Sequence, residues 1–180
     1  MAKLLILTYP DPRLRKKAAV VEVFDEEIVR IKDDMLETMY AANGVGLSAT
    51  QVDIQKAIVV ADTSEHGDNP ICLVNPKIIE TSGQEEMEEG CLSVPGIYAN
   101  VQRAEHIVVE AKDETGASVQ IETGGLLAVC IQHEMDHLQG KLFVDYLSAE
   151  KRRLVLEKVK EIKRTGKIPK RETIPYALDR

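Results

Sequence analysis

The sequence has little of what secreted and membrane-spanning proteins rely on. It contains no tryptophan, only three cysteines, and no apolar run near the roughly 20 residues that a membrane span needs. An odd and small number of cysteines argues against a disulfide framework. The apolar residues 4–7 are too few for a signal peptide. We therefore expect a cytoplasmic protein with no membrane association.

Size and composition are those of an ordinary globular domain. The chain has 180 residues, of which 44% are hydrophobic and 29% are charged. Since one domain typically takes about 100–200 residues, the length predicts a single domain with a substantial core. The net charge of −7 argues against a general nucleic-acid binder, but the charge is uneven. Residues 151–171 hold ten Lys or Arg against two Glu, so this basic segment carries +8 and the remainder −15.

Helices are predicted near both ends of the chain. Asp11 as a cap and Pro12 in the first turn are typical of a helix start and predict a short helix over residues 12–17. Apolar residues at helical spacing predict a helix over residues 25–42, which Asn43-Gly44 would end. The same kind of pattern predicts a final amphipathic helix over residues 149–164.

Between these helices the sequence favours strands and one buried helix. Short apolar runs bounded by turn residues predict strands at residues 57–61 and 71–74, and a hairpin at residues 106–112 and 118–122. The apolar run that starts at residue 126 continues to Gly140, and its length favours a buried helix. We therefore expect an α+β fold: a single domain of antiparallel strands around a central buried helix, with helices at both ends.

The segment His133-Glu134-Met135-Asp136-His137 carries the strongest chemical signal. Residues four apart lie on the same face of a helix, so His133 and His137 could bind one metal ion. Glu134 lies about 100° round the helix, within reach of a metal-bound water. The alternative is two histidines without function on an ordinary helix.

A catalytic metal needs a third protein ligand, and Cys91 is the best candidate. Cys72 and Cys130 lie inside apolar runs, which is typical of small buried hydrophobic residues. His66 and His106 have no supporting pattern. Cys91 follows a glycine in a predicted loop or strand end, where the backbone can approach closely. An inert thiol remains the alternative.

Residues 44–51 (Gly-Val-Gly-Leu-Ser-Ala-Thr-Gln) form a third unusual segment. Its two glycines and small residues allow close backbone approach, and Gln51 offers a neutral amide donor. The segment lacks the lysine of a phosphate-binding loop, so phosphate binding is not expected. The alternative is a plain connection between a helix and a strand.

Together and in this order, the three segments resemble the motifs of the peptide deformylase family. Those motifs are Gly-x-Gly-Leu-Ala-Ala-x-Gln, Glu-Gly-Cys-Leu-Ser and a helical His-Glu-x-Asp-His, read here at residues 44–51, 89–93 and 133–137. The resemblance is to bacterial-type members and covers residues 7–164, so we expect a catalytic domain over residues 1–164. Ser48 replaces the usual Ala, a change expected to disturb the loop little, and Tyr98 stands where many bacterial members carry Arg. The polar tail from Thr165 to Arg180 has no counterpart in the family.

The resemblance implies an enzyme that removes the N-formyl group from the N-terminal formyl-methionine of newly synthesised polypeptides. A metal-bound water would attack the formyl carbonyl, with one divalent metal held by Cys91, His133 and His137. The resemblance implies Fe²⁺ as the working ion, although Zn²⁺, Ni²⁺ or Co²⁺ also suit these ligands in a purified sample.

The resemblance also assigns roles to other residues. Glu134 would be the general base, and the side-chain amide of Gln51 with the backbone N–H of Leu92 would stabilise the developing oxyanion. An apolar slot would hold the methionine side chain, although Leu126 and Val129 could equally be plain core. The expected substrate-binding residues are Val45, Gly46, Glu89 (through its aliphatic part), Gly90, Leu126 and Val129. Independently of the resemblance, Asp136 faces away from the metal-binding edge of the helix, and we expect it to pair with a cation such as Arg103.

The basic segment has two readings. It is either a solvated helix face with a soluble tail, or a surface that docks on ribosomal RNA. The resemblance implies docking through the helix from Ala149 to Arg164, so the expected partners are formyl-methionyl nascent peptides and the ribosome. We expect a monomer.

Two other function classes stay open from the sequence alone. A metallopeptidase could use the same helix motif to cut internal amides. A protein with a structural metal would need four protein ligands, and the sequence offers no good fourth candidate.

Overall fold

The computed structural model describes residues 2–170, which form three α-helices and seven strands. Residue 1 and residues 171–180 lie outside the described residues, so most of the predicted tail (residues 165–180) is not described. The helices are α1 (Glu26–Ala41), α2 (Gly125–Leu138) and α3 (Ala149–Thr165). The strands are β1 (Gly46–Ser48), β2 (Ile58–Ala61), β3 (Ile71–Ser82), β4 (Glu85–Cys91), β5 (Val94–Arg103), β6 (His106–Lys112) and β7 (Ser118–Gly124). Single turns of 3-10 helix lie at Pro12–Arg15, Ala49–Val52 and Phe143–Tyr146.

All pairs of neighbouring strands are antiparallel, and they form two sheets. Five strands pair in the order β1-β2-β3-β6-β7, while β4 and β5 form a separate two-stranded sheet. Helix α2 packs against β1, β2 and β7, and eight of its fourteen residues are buried. The architecture confirms the expected single-domain α+β fold with a central buried helix.

The first half of α2 anchors this helix in the core. Residues 128–131 are all buried, and Ile131 is fully enclosed. Burying one such side chain stabilises the fold by about 1.5–3 kcal/mol, so this half is fixed by packing. The second half carries His133, Glu134 and His137, which are buried as well. Apolar packing in the first half therefore brings three ionisable side chains into the interior.

The other two helices pack on two different clusters of the core. Helix α1 packs its apolar stripe on β1 and β2, and the side chain of Asp25 caps its first turn by accepting from the backbone N–H of Glu27. Helix α3 buries only Val155 and Val159, which join the cluster around Phe143. None of the helices within residues 2–170 is both long enough and apolar enough to cross a membrane.

The three long predicted helices and the predicted hairpin are confirmed to within two residues, but two predictions need correction and two strands were missed. The short helix over residues 12–17 is a single 3-10 turn that ends at Arg15, because Lys16 is extended. The strand at residues 71–74 continues to Ser82, and β4 and β5 were not predicted. The outer half of β3 is largely exposed, and β4 is rich in glutamate, so neither gives an apolar run.

Candidate metal centre and active site

Three side chains with metal-binding atoms converge between the end of β4 and the second half of α2. Cys91 is the last residue of β4, and His133 and His137 lie one turn apart on α2. The two Nε2 atoms are 3.2 Å apart, and the Cys91 Sγ atom is 3.3 Å from Nε2 of His137. All three ligand atoms lie within 4.8 Å of one another, and no other such group occurs among the described residues.

These distances fit a tetrahedral ion. A site with metal–nitrogen bonds near 2.0–2.1 Å and a metal–sulfur bond near 2.3 Å has nitrogen–nitrogen edges of about 3.3 Å and sulfur–nitrogen edges of about 3.6 Å. The observed separations are within 0.3 Å of these values. Within residues 2–170 no fourth Cys, His, Asp or Glu joins the group, so its ligand set is that of an open site rather than of a closed structural one.

A buried carboxylate orients the first histidine. One Glu89 oxygen lies 2.7 Å from Nδ1 of His133, so the Nε2 atom of that ring faces the other two ligands. Glu89 also accepts two hydrogen bonds from Arg103, of 2.8 Å and 2.9 Å. Nη1 of Arg103 donates to Asp136 at 2.6 Å, which confirms the predicted pair. The Tyr146 hydroxyl donates to the same Asp136 oxygen at 2.7 Å.

The electrostatics of this group follow from its burial. Burial by itself would raise the pKa of Glu89, but the hydrogen bonds from Arg103 and His133 outweigh burial and hold the pKa below its usual value. Burial would lower the pKa of His133, yet Cys91 and Glu89 raise this pKa well above the ordinary value. Burial and the nearby charge of His133 lower the pKa of His137. A metal must therefore displace a proton from this cluster, which makes its binding weaker in acid.

His137 is held differently from His133. Its Nδ1 atom is buried and has no hydrogen-bond partner among the described residues. Its ring stands edge-on to that of His133, with centroids 5.0 Å apart. Of the two histidine rings, only that of His133 is therefore held by a hydrogen bond to a carboxylate.

Glu134 lies in a tight, buried space beside the triad. Burial raises the pKa of its carboxyl group, which favours a proton-accepting role near neutral pH. A side chain at residue 46 would come within 2.8 Å of Oε1 of Glu134 and 2.6 Å of Sγ of Cys130, so Gly46 is needed for the carboxyl group to fit.

Sequence reasoning missed a partner of this carboxyl group. The fully buried Ser48 hydroxyl lies 2.8 Å from Oε2 of Glu134 and 2.7 Å from its backbone oxygen. The substitution of Ala by Ser was expected to disturb the loop little, yet it adds a donor beside a buried acid. The signal in the sequence was Ser48 itself, because it adds a hydroxyl to a motif that otherwise has Ala at this position.

Gln51 and Leu92 flank Cys91. The Gln51 Oε1 atom accepts from the backbone N–H of Ser48 at 2.8 Å, which fixes the amide so that Nε2 lies 3.6 Å from Sγ of Cys91 and 3.1 Å from the Ser93 hydroxyl. Leu92 is the next residue after β4, and its side chain lies over Gly44.

A cavity of about 300 Å³ opens onto this group. Its lining brings together all six predicted substrate-binding residues with Cys91, Leu92, His133 and Glu134, whereas Gln51 reaches the site only through Cys91 and Ser93. Glu89 is 1% exposed and borders the cavity. Its carboxylate forms an ion pair with Arg103. The other lining residues were not among the predicted site residues: Ala42, Asn43, Gly44, Val94, Pro95, Gly96, Tyr98, Cys130 and Ile168.

The family model and the solved structures that match this chain all describe the same family. A family model for polypeptide deformylases matches residues 3–153. The crystal structure of a peptide deformylase from Legionella pneumophila is 48% identical, with a TM-score of 0.88, and the match covers 92% of this chain and 98% of that one. The Ehrlichia chaffeensis enzyme in complex with actinonin is 42% identical, with a TM-score of 0.88 and coverage of 92% and 100%. The Synechococcus elongatus enzyme in complex with actinonin is 42% identical, with a TM-score of 0.80 and coverage of 92% and 87%.

The pKa of Glu89 leads to a prediction about stability and pH. Its pKa is lower in the folded state than in the unfolded state, so ionised Glu89 stabilises the fold fully above the ordinary pKa of glutamate and loses this effect as the pH falls through the folded-state pKa. We expect Glu89→Gln to destabilise the metal-free protein by about 3 kcal/mol at neutral pH. Urea unfolding should show this difference from the wild type narrowing in acid, below the ordinary glutamate pKa. A difference that stays constant would contradict the buried ion pair.

The Ser48 contact leads to a second prediction. Ser48→Ala leaves a buried carboxyl group without its donor, and we expect a loss of about 1–2 kcal/mol in the free energy of unfolding. In a Glu134→Ala background the same change should cost clearly less, because only the bond to the backbone oxygen is lost. Ser82→Ala, at an exposed residue, is the control. Equal costs in both backgrounds would show that Ser48 does not interact with the carboxyl group.

Proposed function

The chain belongs to the polypeptide deformylase family, whose members are metal-dependent hydrolases that remove N-formyl groups, and from this premise we propose its substrate, its metal and the roles of its residues. The proposed substrates are the formyl-methionyl ends of newly synthesised polypeptides, and the proposed location is the cytoplasm, as for bacterial-type members. The observation that carries the proposal is the convergence of Cys91, His133 and His137 next to a cavity that Cys91, His133 and Glu134 line.

Cys91, His133 and His137 are proposed to hold one divalent metal. A thiolate with two imidazoles suits Fe²⁺, Zn²⁺, Co²⁺ and Ni²⁺, and we propose Fe²⁺ as the working ion in the cell. When bound, the metal polarises the formyl oxygen and lowers the pKa of water toward neutrality. The hydrogen bond between Glu89 and His133 supports this role, because it directs Nε2 of His133 toward the other ligands.

Glu134 is proposed to move the proton. It takes one proton from the attacking water as oxygen adds to the formyl carbon, and it gives this proton to the nitrogen as the C–N bond breaks, which leaves formate and a free amine. The raised pKa of its buried carboxyl group suits both steps. The side-chain amide of Gln51 and the backbone N–H of Leu92 are proposed to stabilise the negative charge that develops on the formyl oxygen.

The cavity is proposed to select methionine. Val45, Leu126, Val129 and the aliphatic part of Glu89 would surround its unbranched side chain, and the backbone at Val45, Gly46 and Gly90 would hold the peptide extended, as a strand adds to a sheet edge. A cavity of about 300 Å³ lies at the small end of the range for ligand sites, which suits one side chain and a short stretch of peptide. The complexes of related enzymes with actinonin agree with a binding cleft in this fold.

The base assignment is tested by Glu134→Ala. We expect the variant to keep its metal and to lose formate release from formyl-Met-Ala by a factor of about 100 or more, since the group that moves the proton is gone. Activity and metal content are measured on the same anaerobic preparation, with Glu150→Ala as the exposed control. Full activity would refute the assignment.

A parallel assay separates the competing chemistry. Release of internal fragments from acetylated peptides, with no formate from formylated ones, would identify a metallopeptidase instead.

Helix α3 is proposed to dock on ribosomal RNA. Its Lys and Arg residues are all exposed, whereas Val155 and Val159 hold the helix to the domain, so the cations are free to meet phosphate groups. Contacts of this kind weaken steeply as salt rises. We propose that the enzyme acts as a monomer with residues 1–164 as its catalytic domain and residues 165–180 as an added tail.

Charge reversal tests this docking without disturbing the packing. We expect Lys158→Glu combined with Lys163→Glu to reduce co-sedimentation with ribosomes at least tenfold in low salt, and to leave turnover of formyl-Met-Ala unchanged. The control reverses two exposed lysines elsewhere, Lys16 and Lys17. If the control loses binding to the same extent, net charge rather than α3 is responsible, and docking through α3 is wrong.

A further inference from the structure

The chain after α3 turns back toward the substrate cavity. Helix α3 ends at Thr165, and Gly166 adopts a left-handed conformation, with φ of +67° and its N–H bonded to the carbonyl of Ile162. The next residues then run past β5, and Ile168 becomes part of the cavity lining. No family motif covers this part of the chain.

The contact of this segment with β5 is close. A Cβ atom built on Gly96 would lie 2.8 Å from Cγ2 of Ile168 and 3.3 Å from Cδ of Pro169, so any side chain at residue 96 would collide with the segment. Gly96 also has φ of +77°, which favours glycine. Ile168 and Pro169 therefore pack directly on the strand that borders the cavity.

Ile168 lies at the mouth of the cavity rather than in its depth. It is 54% exposed, whereas His133, Glu134 and Val129 are almost fully buried. A large apolar side chain left half exposed beside a binding cavity can gain further burial only when a ligand covers it. Pro95 and Tyr98 line the cavity near this point of β5 and extend the apolar surface.

We propose that Ile168 is a specificity-determining residue that contacts apolar side chains following the formyl-methionine of the substrate. The inference rests on the proposed function, because it takes the deeper slot as occupied by methionine. A peptide whose first residue fills that slot must leave through the mouth, and its next side chains then pass the surface formed by Ile168, Pro95 and Tyr98. Peptides with apolar residues after methionine gain affinity there, and formyl-Met-Ala gains little.

The test compares two substrates on full-length variants. Covering half of an isoleucine side chain corresponds to a change of about four- to twelvefold in binding. Ile168→Ser should therefore raise the KM for formyl-Met-Leu-Leu by about four- to twelvefold, with kcat unchanged and with the KM for formyl-Met-Ala unchanged. Ile168→Leu should restore the wild-type KM.

Leu154→Ser is the matched control, because Leu154 is 45% exposed on α3 and does not line the cavity. The control should change neither KM. If Ile168→Ser leaves both KM values unchanged, or raises both equally, the contact with later substrate residues is wrong. If the wild type releases no formate from either peptide, the proposed function fails instead, and the two failures are thus distinguished.

Discussion

One buried carboxylate, that of Glu89, connects the two elements that form the metal centre. Glu89 and Cys91 are two residues apart at the end of β4, where the pairing with β5 shifts register between Gly90 and Cys91. The carboxylate of Glu89 reaches His133 on α2, so the strand that carries the sulfur also orients the imidazole. A buried charge is costly unless it is paired, and Arg103 on β5 supplies the pair with two hydrogen bonds. This pairing therefore keeps the carboxylate of Glu89 ionised where it contacts the His133 ring.

The chemistry around this centre depends on how closely the backbone of residues 46–48 approaches α2. The absence of a side chain at Gly46 leaves room for the carboxyl group of Glu134, and the Ser48 hydroxyl supplies its hydrogen bond. The Gln51 amide is held by the backbone of the same segment and turns its nitrogen toward Cys91. A short strand and one 3-10 turn thus determine the surroundings of both the Glu134 carboxyl group and the Cys91 thiol.

The sequence was sufficient for the parts of the molecule that show periodic apolar patterns. Helices α1, α2 and α3 and the β6–β7 hairpin were predicted because their buried residues recur at regular spacing. Strand β4 was missed because four of its seven residues are glutamates, and it is held by pairing with β5 and by the buried carboxylate rather than by an apolar face. The roles of Glu89 and Ser48 are contacts between distant parts of the chain, which no local pattern encodes. Ile168 was assigned to a polar tail because a single isoleucine among charged residues gives no period.

X-ray absorption spectroscopy of the zinc-loaded protein tests the metal centre most directly. The account predicts one sulfur at about 2.3 Å and two imidazole nitrogens at about 2.0–2.1 Å in the first shell, with the sulfur lost in Cys91→Ser. A first shell without sulfur in the wild type, or one with a single imidazole, would contradict the convergence of Cys91, His133 and His137 on one ion.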